Sequence, residues 1–205
     1  MPADLHQWLV DADMQAWYKL HAEWRSSFLD VVMPYLRNPF FWAPLYLFLI
    51  GYAVQNSKRK GLLWCLGFLL CFAFGDFISA HILKPCFHRI RPCNDPRLAQ
   101  ALHLIVERSS GLSFPSSHAS NHFAMGTYMA ATLGRRNRWV IVASFIWAAA
   151  IAYAQVYVGV HFPGDVLGGA LLGIAIGALL AWAYRKLHPD APLLVRRSKV
   201  SVAPE

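Results

Sequence analysis

The residues that could do chemistry fall in three short elements. His161 stands four residues before Asp165, across Phe162-Pro163-Gly164. A carboxylate at that spacing accepts from one imidazole nitrogen and leaves the other as a free lone pair, able to act as a nucleophile. Pro115-Ser116-Ser117-His118 opens an apolar run. Proline suits the start of a helix and serine its cap, and the free amides and hydroxyls there make an anion cradle. His118, at that cradle, is placed to protonate a leaving oxygen. Lys84 and Arg91 add fixed positive charge. A phosphate fits better than a carboxylate, because three oxygens need donors. The set reads as metal-free phosphoryl transfer through a phosphohistidine.

The elements that must position these residues follow from composition. The chain has 205 residues, of which 57% are hydrophobic and only 15% charged. Soluble domains carry about a quarter charged residues, so an ordinary soluble globule is excluded, as are disordered and collagen-like chains. The formal net charge of +8 suits a membrane protein oriented by basic loops better than a nucleic-acid binder.

Runs with at most one charged residue, long enough to cross a bilayer core of about 30 Å, recur five times. They predict an all-α, multi-pass transmembrane bundle with spans at about 39–56, 61–83, 116–134, 139–158 and 165–184. Lys58, Arg59 and Lys60, then Arg135, Arg136 and Arg138, then Arg185 and Lys186 all fall at one end. That end is assigned to the cytoplasm, so the three chemical elements converge on the opposite, outward face of the cell membrane. Gly169, Gly173 and Gly177 form a small-residue stripe for close packing of the last span.

Residues 1–184 read as one membrane-embedded domain. Residues 1–37 within it carry Trp17, Leu20, Trp24, Phe28, Val31 and Tyr35 at helical spacing. They predict an amphipathic helix that lies in the membrane interface or packs on the protein. Residues 185–205 read as a basic tail. Cys86 and Cys93 form a short disulfide or remain free thiols. Asp76, inside the second span, reads as polar packing. His122 lies one turn after His118, and such a pair could bind zinc with His161 and Asp165. The adjoining cations argue against a metal.

Lys84, six residues, then Arg91-Pro92; Pro115-Ser116-Ser117-His118; and His161, three residues, then Asp165 resemble the three signature motifs of the type 2 phosphatidic acid phosphatase superfamily. That family includes lipid phosphate phosphatases, undecaprenyl diphosphate phosphatases, lipid A phosphatases and vanadium haloperoxidases. The resemblance implies that Lys84 and Arg91 bind phosphate, with Ser116 and the Ser117 amide on its oxygens. It makes His118 the acid, His161 the nucleophile and Asp165 its partner. It further implies no cofactor, and a membrane lipid substrate with undecaprenyl diphosphate as the leading choice. A lipid phosphotransferase would use the same residues. Ser117 stands where the family usually has Gly. Ala154-Gln155 replaces the usual Ser-Arg of the third motif, so one guanidinium on the phosphate is missing. Loss of one such transition-state donor costs about 3–4 kcal/mol. Three accounts are open. Arg89 or Arg108 replaces the cation, which is the favoured one; the reaction is slow or its substrate different; or the protein binds lipid phosphate without turnover.

Overall fold

In a lipid environment a chain must satisfy its own backbone hydrogen bonds, and helices do so within one segment. The computed structural model describes residues 3–188, and over the described residues it is all-helical with no strand. The helices are α1 (Ala3–Tyr18), α2 (Ser27–Leu36), α3 (Ala43–Asn56), α4 (Lys58–Phe77), α5 (Lys84–Phe87), α6 (Ser117–Thr132), α7 (Arg138–Tyr157) and α8 (Pro163–Leu187). A π-helical stretch, Ile78–Leu83, joins α4 to α5 into one rod, Lys58–Phe87.

Among the described residues three helices are long and apolar enough to cross a membrane: Lys58–Phe87, α7 and α8. The other two expected spans are shorter. The first is a 3-10 turn, Pro39–Trp42, that runs into the 14 residues of α3. The third is α6, with 16 residues between the Ser116 cap and Leu133. Leu62, Leu66, Leu69, Ile146, Leu171 and Leu179 all face outward. Such a spread of exposed apolar side chains suits lipid contact rather than water.

α6 is the central helix, packed between α4, α7 and α8. Its closest partner is α8, and the glycine stripe is the reason. A β-carbon at Gly169, Gly173 or Gly177 would stand 2.4, 2.3 or 2.3 Å from the backbone carbonyl oxygens of Ser116, Ser120 and Ala124. Only glycine permits that approach. Around it Trp64, Phe68, Tyr128, Trp147 and Ile151 fill the core.

The helices alternate in direction, so their functional ends coincide. Tyr184 OH donates to Lys60 O at 3.2 Å at one end. At the other, the Ser116 N–H donates to Asp165 O at 2.9 Å. The basic clusters at Lys58–Lys60 and Arg185–Lys186 thus lie opposite Lys84, His118 and His161.

Residues 1–37 differ from the expected single amphipathic helix. Ser26 takes an extended conformation, and its side chain accepts from Leu29 N–H, so it caps a new helix and breaks the stripe. Trp17 is fully buried and stacks on His21, with ring centroids 4.5 Å apart. Trp24, Phe28, Val31 and Tyr35 stay exposed. The segment therefore packs on the bundle through α1 and, at Met33 and Leu36, through one face of α2, while Trp24, Phe28, Val31 and Tyr35 point outward. Of the expected tail, Arg185 and Lys186 belong to α8, and residues 189–205 lie outside the described residues. All four cysteines are free. Cys86 sits in the α5 turn against Ile82 O, while Cys93 is buried near Ser109 O, so the disulfide alternative is not formed.

Candidate active site

His161 is delivered by the end of α7. Val160 N–H bonds Gln155 O at 3.1 Å and Gly159 N–H bonds Val156 O at 3.0 Å. This is a Schellman turn, and it needs the positive φ of 80° that Gly159 adopts. His161 N–H also reaches Gln155 O, at 3.2 Å. Phe162 then caps α8, and Asp165 in its first turn accepts the Phe162 N–H at 2.8 Å. An acid there is favoured by the helix dipole. The spacing of His161 and Asp165 is thus a helix-start geometry, with the imidazole just outside the cap.

The imidazole is 2% exposed. Its Nδ1 lies 3.5 Å from Asp165 Oδ2 and 3.4 Å from Ser113 Oγ. Its Nε2 faces Arg91 Nη1 at 3.0 Å. A guanidinium has no acceptor, so this contact makes Nε2 the unprotonated nitrogen. Burial pushes the imidazole pKa down to about 4, with the Asp165 carboxylate pulling the other way and Arg91 and Lys84 adding to the fall. The ring is neutral at neutral pH, with its lone pair on the cationic side.

His118 is in the first turn of α6, half-buried, with His122, Arg37, His161 and Lys84 as its charged or titratable neighbours. Ser116 caps α6, and its Oγ accepts from Ala119 N–H at 3.4 Å. The first intrahelical bond runs from Ser120 N–H to Ser116 O. The Ser117 and His118 amides therefore stand at the open helix end, where an anion is favoured. The Ser117 hydroxyl is engaged by Ser79 Oγ at 2.9 Å, from the π-helical stretch that carries the chain to Lys84. π-turns recur at functional sites. Lys84 has Arg91, Asp76 and Asp165 as charged neighbours. Asp76 makes no ion pair among the described residues, and its carbonyl accepts from Ser79 Oγ.

The structure thus brings Lys84, Arg91, Ser116, His118, His161 and Asp165 to one end of the bundle. His122 is directed elsewhere. Its Nδ1 meets His118 O at 2.8 Å and its Nε2 meets Tyr46 OH at 3.4 Å. Among the described residues no group of three or more His, Cys, Asp or Glu is placed to hold a metal ion. Gln155 is fully buried, and neither its amide oxygen nor its amide nitrogen has a partner. Neither favoured substitute for the missing guanidinium is free. Arg89 bonds Asp165 and Asp13, and Arg108 bonds the Cys93 carbonyl.

Sequence reasoning missed two residues. Ser113 is fully buried and donates to Asp165 Oδ2 at 2.5 Å, while its own N–H bonds Arg89 O. It lies in a loop outside any helical period. Asp13, in α1, accepts from Gly164 N–H at 2.7 Å and from Arg89. Its signal was the charge itself, an acid that a packed helix must pair.

Comparison with known proteins identifies the family and the fold. The family model described as PAP2 superfamily matches residues 62–189. A lipid A 4'-phosphatase of Bacteroides thetaiotaomicron is 30% identical over 165 residues, covering 79% of this chain and 72% of that protein. An undecaprenyl-diphosphatase of Sulfolobus acidocaldarius is 27% identical over 138 residues, covering 67% and 61%. The crystal structure of a transmembrane PAP2-type phosphatidylglycerolphosphate phosphatase from Bacillus subtilis superposes with a TM-score of 0.69 at 26% identity, covering 89% of each chain.

Proposed function

Because the chain belongs to the PAP2 superfamily and its relatives are phosphatases, we propose that it hydrolyses a membrane lipid phosphate or diphosphate, without a metal, through a phosphohistidine at His161. The observation that carries this reading is the orientation of one ring. His161 turns Nδ1 to Asp165 and Nε2 to Arg91. Phosphate oxygens would take over the Arg91 contact and place phosphorus before Nε2.

The residues divide the work as follows. Lys84 and Arg91 neutralise the phosphoryl oxygens, and Ser116 with the α6 amides supplies further donors. The Nε2 lone pair forms the N–P bond as the P–O bond to the lipid breaks. His118 gives its proton to the leaving oxygen, and the bound phosphate supplies the negative charge that holds that proton beforehand. His118 then takes a proton from water, which attacks phosphorus, and His161 is released with inorganic phosphate. Asp165 keeps Nδ1–H in place throughout. Gln155, whose buried amide has no partner, is the neutral donor of this set.

The five-span topology, with residues 1–184 as one domain and the site on the non-cytoplasmic side, belongs to the same proposal. Its support is the alternation of α4, α6, α7 and α8, which sets the basic ends opposite the site. We take undecaprenyl diphosphate as the lead substrate, supported by the likeness to an undecaprenyl-diphosphatase. A lipid A phosphomonoester is the second reading. It is favoured by a neutral Gln155, which suits a less charged headgroup, and by the likeness to a lipid A 4'-phosphatase.

The test is phosphate release by purified protein from undecaprenyl diphosphate, lipid A and phosphatidic acid, with and without chelator. We expect chelator-insensitive release from at least one, abolished by His161→Ala. No release from any, or release equal in the His161→Ala variant, removes the reading. Transfer to an added lipid alcohol in place of release would mark a phosphotransferase.

A further inference from the structure

Three buried donors around the site have no partner, and they lie on three different segments. Arg91 Nε is buried and unbonded although its Nη1 is used. The Gln155 amide is unbonded at both atoms. Arg37 Nε, from the N-terminal segment, is also buried and unbonded. Arg37 has no ion pair among the described residues, unlike Arg25, Arg89 and Arg97, which all meet carboxylates.

The fold explains how Arg37 arrives there. It is the C-cap of α2, with its N–H on Met33 O. Met33 and Leu36, just before it, pack in the cluster that holds Cys93, Ala154, Tyr157 and Val160. The end of α2 therefore rests on the last turn of α7, beside Gln155, and on the loop that carries Arg91. Arg91 is the charged neighbour that acts on Arg37, and Arg37 in turn acts on His118.

Two guanidinium groups gathered in a partly buried place repel each other. Each also leaves donor capacity unused, which is costly away from water. No carboxylate acts on Arg37, and the one that acts on Arg91, Asp165, is already engaged by Arg89 and His161. The arrangement is suited to a third party, an anion with several acceptor oxygens. Arginine remains charged even when burial and a like charge oppose it, so the site keeps its demand for an anion.

We propose that Arg37 is a phosphate-binding residue of this site, supplying from the N-terminal segment the guanidinium that the third motif lacks at Gln155. The inference deepens the phosphatase reading and rests on it for the identity of the anion. Arg37 lies outside residues 62–189, which match the family model. The compensation thus comes from a part of the chain that the family pattern does not cover. It also gives α2 a role beyond packing, because the helix end fixes one wall of the phosphate site.

The competing account is an anchor at a helix end, where Arg37 lies along apolar surface and reaches for water. Phenylglyoxal labelling of the intact wild-type protein, read by peptide mass spectrometry, separates the two. Inorganic phosphate should protect Arg37 several-fold, and an anchor would be labelled equally with and without it. Arg37→Gln should weaken inorganic phosphate binding at least about tenfold, the scale of one charged hydrogen bond, with its melting midpoint kept. Arg37→Lys should fall between. Gln155→Arg, placed in the Arg37→Gln background, should restore affinity. Unprotected Arg37, or wild-type phosphate affinity in Arg37→Gln, overturns the inference. Protein that binds phosphate through Arg37 but releases none from any lipid leaves the inference standing and removes the phosphatase reading.

Discussion

Arg89 Nη1 lies 2.8 Å from Asp165 Oδ1, so the carboxylate beside His161 is also half of an ion pair. The other guanidinium nitrogen is held by Asp13 of α1 at 2.5 Å, and the group lies 4.2 Å over the Phe162 ring. Asp165 is thereby shared among Arg89, Ser113, the Phe162 N–H and His161. A carboxylate paired with a cation attracts an imidazole proton less strongly. Arg89 therefore helps keep His161 neutral.

Replacing Arg89 should change that balance in a known direction. His161 must be neutral to attack, so kcat/KM falls as pH drops through its pKa. Arg89→Met frees the charge of Asp165 and raises that pKa. The acid limb of the kcat/KM profile should move to higher pH by about one unit. Asp13→Asn leaves Arg89 wholly to Asp165 and should move the limb the other way or not at all. Lys84, Arg91 and His118 also face His161 and are unchanged in both variants. A profile that stays fixed in Arg89→Met contradicts this coupling.

His21 makes a second pH-sensitive link, outside the site. It is fully buried, with Nδ1 donating to Tyr157 O at 2.7 Å and Nε2 accepting His103 N–H at 3.1 Å. The second bond requires the neutral ring, because a protonated Nε2 has no lone pair to accept with, and burial lowers the pKa below the ordinary 6.5. The unfolded chain therefore binds this proton first. Stability from His21 is complete above pH 6.5 and is lost progressively as pH falls below it. Denaturant unfolding in detergent should show this slope in wild type and a flatter one in His21→Asn. Equal slopes would remove His21 as the cause.

Gly159 ties backbone strain to catalysis. Its φ of 80° is left-handed, and a β-carbon would meet His21 Cε1 and Leu102 Cδ1 at 3.0 Å each. Gly159→Ala should cost about 1–2 kcal/mol of stability for the left-handed backbone alone. It should also lower kcat more than it raises KM, because the turn sets His161 directly while Lys84 stands on a separate helix. A variant with unchanged stability and kcat would show that the turn adapts.

Much of this site was readable from residue order because helix starts enforce it. Pro163 and Asp165 open α8, Pro115 and Ser116 open α6, and each start brings its histidine along. The long apolar runs marked α4, α7 and α8 for the same reason: lipid contact leaves little room for charge. Other features depend on contacts far apart in sequence. Ser113 reaches Asp165, Asp13 reaches Arg89, and Arg37 comes beside Arg91 only once the chain is packed. No local spacing encodes them. The Trp17-to-Tyr35 stripe runs across Ser26, and the capping bond from Leu29 N–H to its side chain is what divides the segment. The favoured role of Arg89 or Arg108 on the phosphate gave way to carboxylate and carbonyl partners already in place.

The central claim is that His161 carries the phosphoryl group. Purified protein mixed with undecaprenyl diphosphate labelled on its terminal phosphate, quenched within one turnover in alkali, tests it directly. Label should be bound to a His161 peptide, with the acid lability of a phosphoramidate, and His118→Ala should slow its formation or its decay. Turnover with no labelled protein at any quench time, or label on a residue other than His161, would contradict the account.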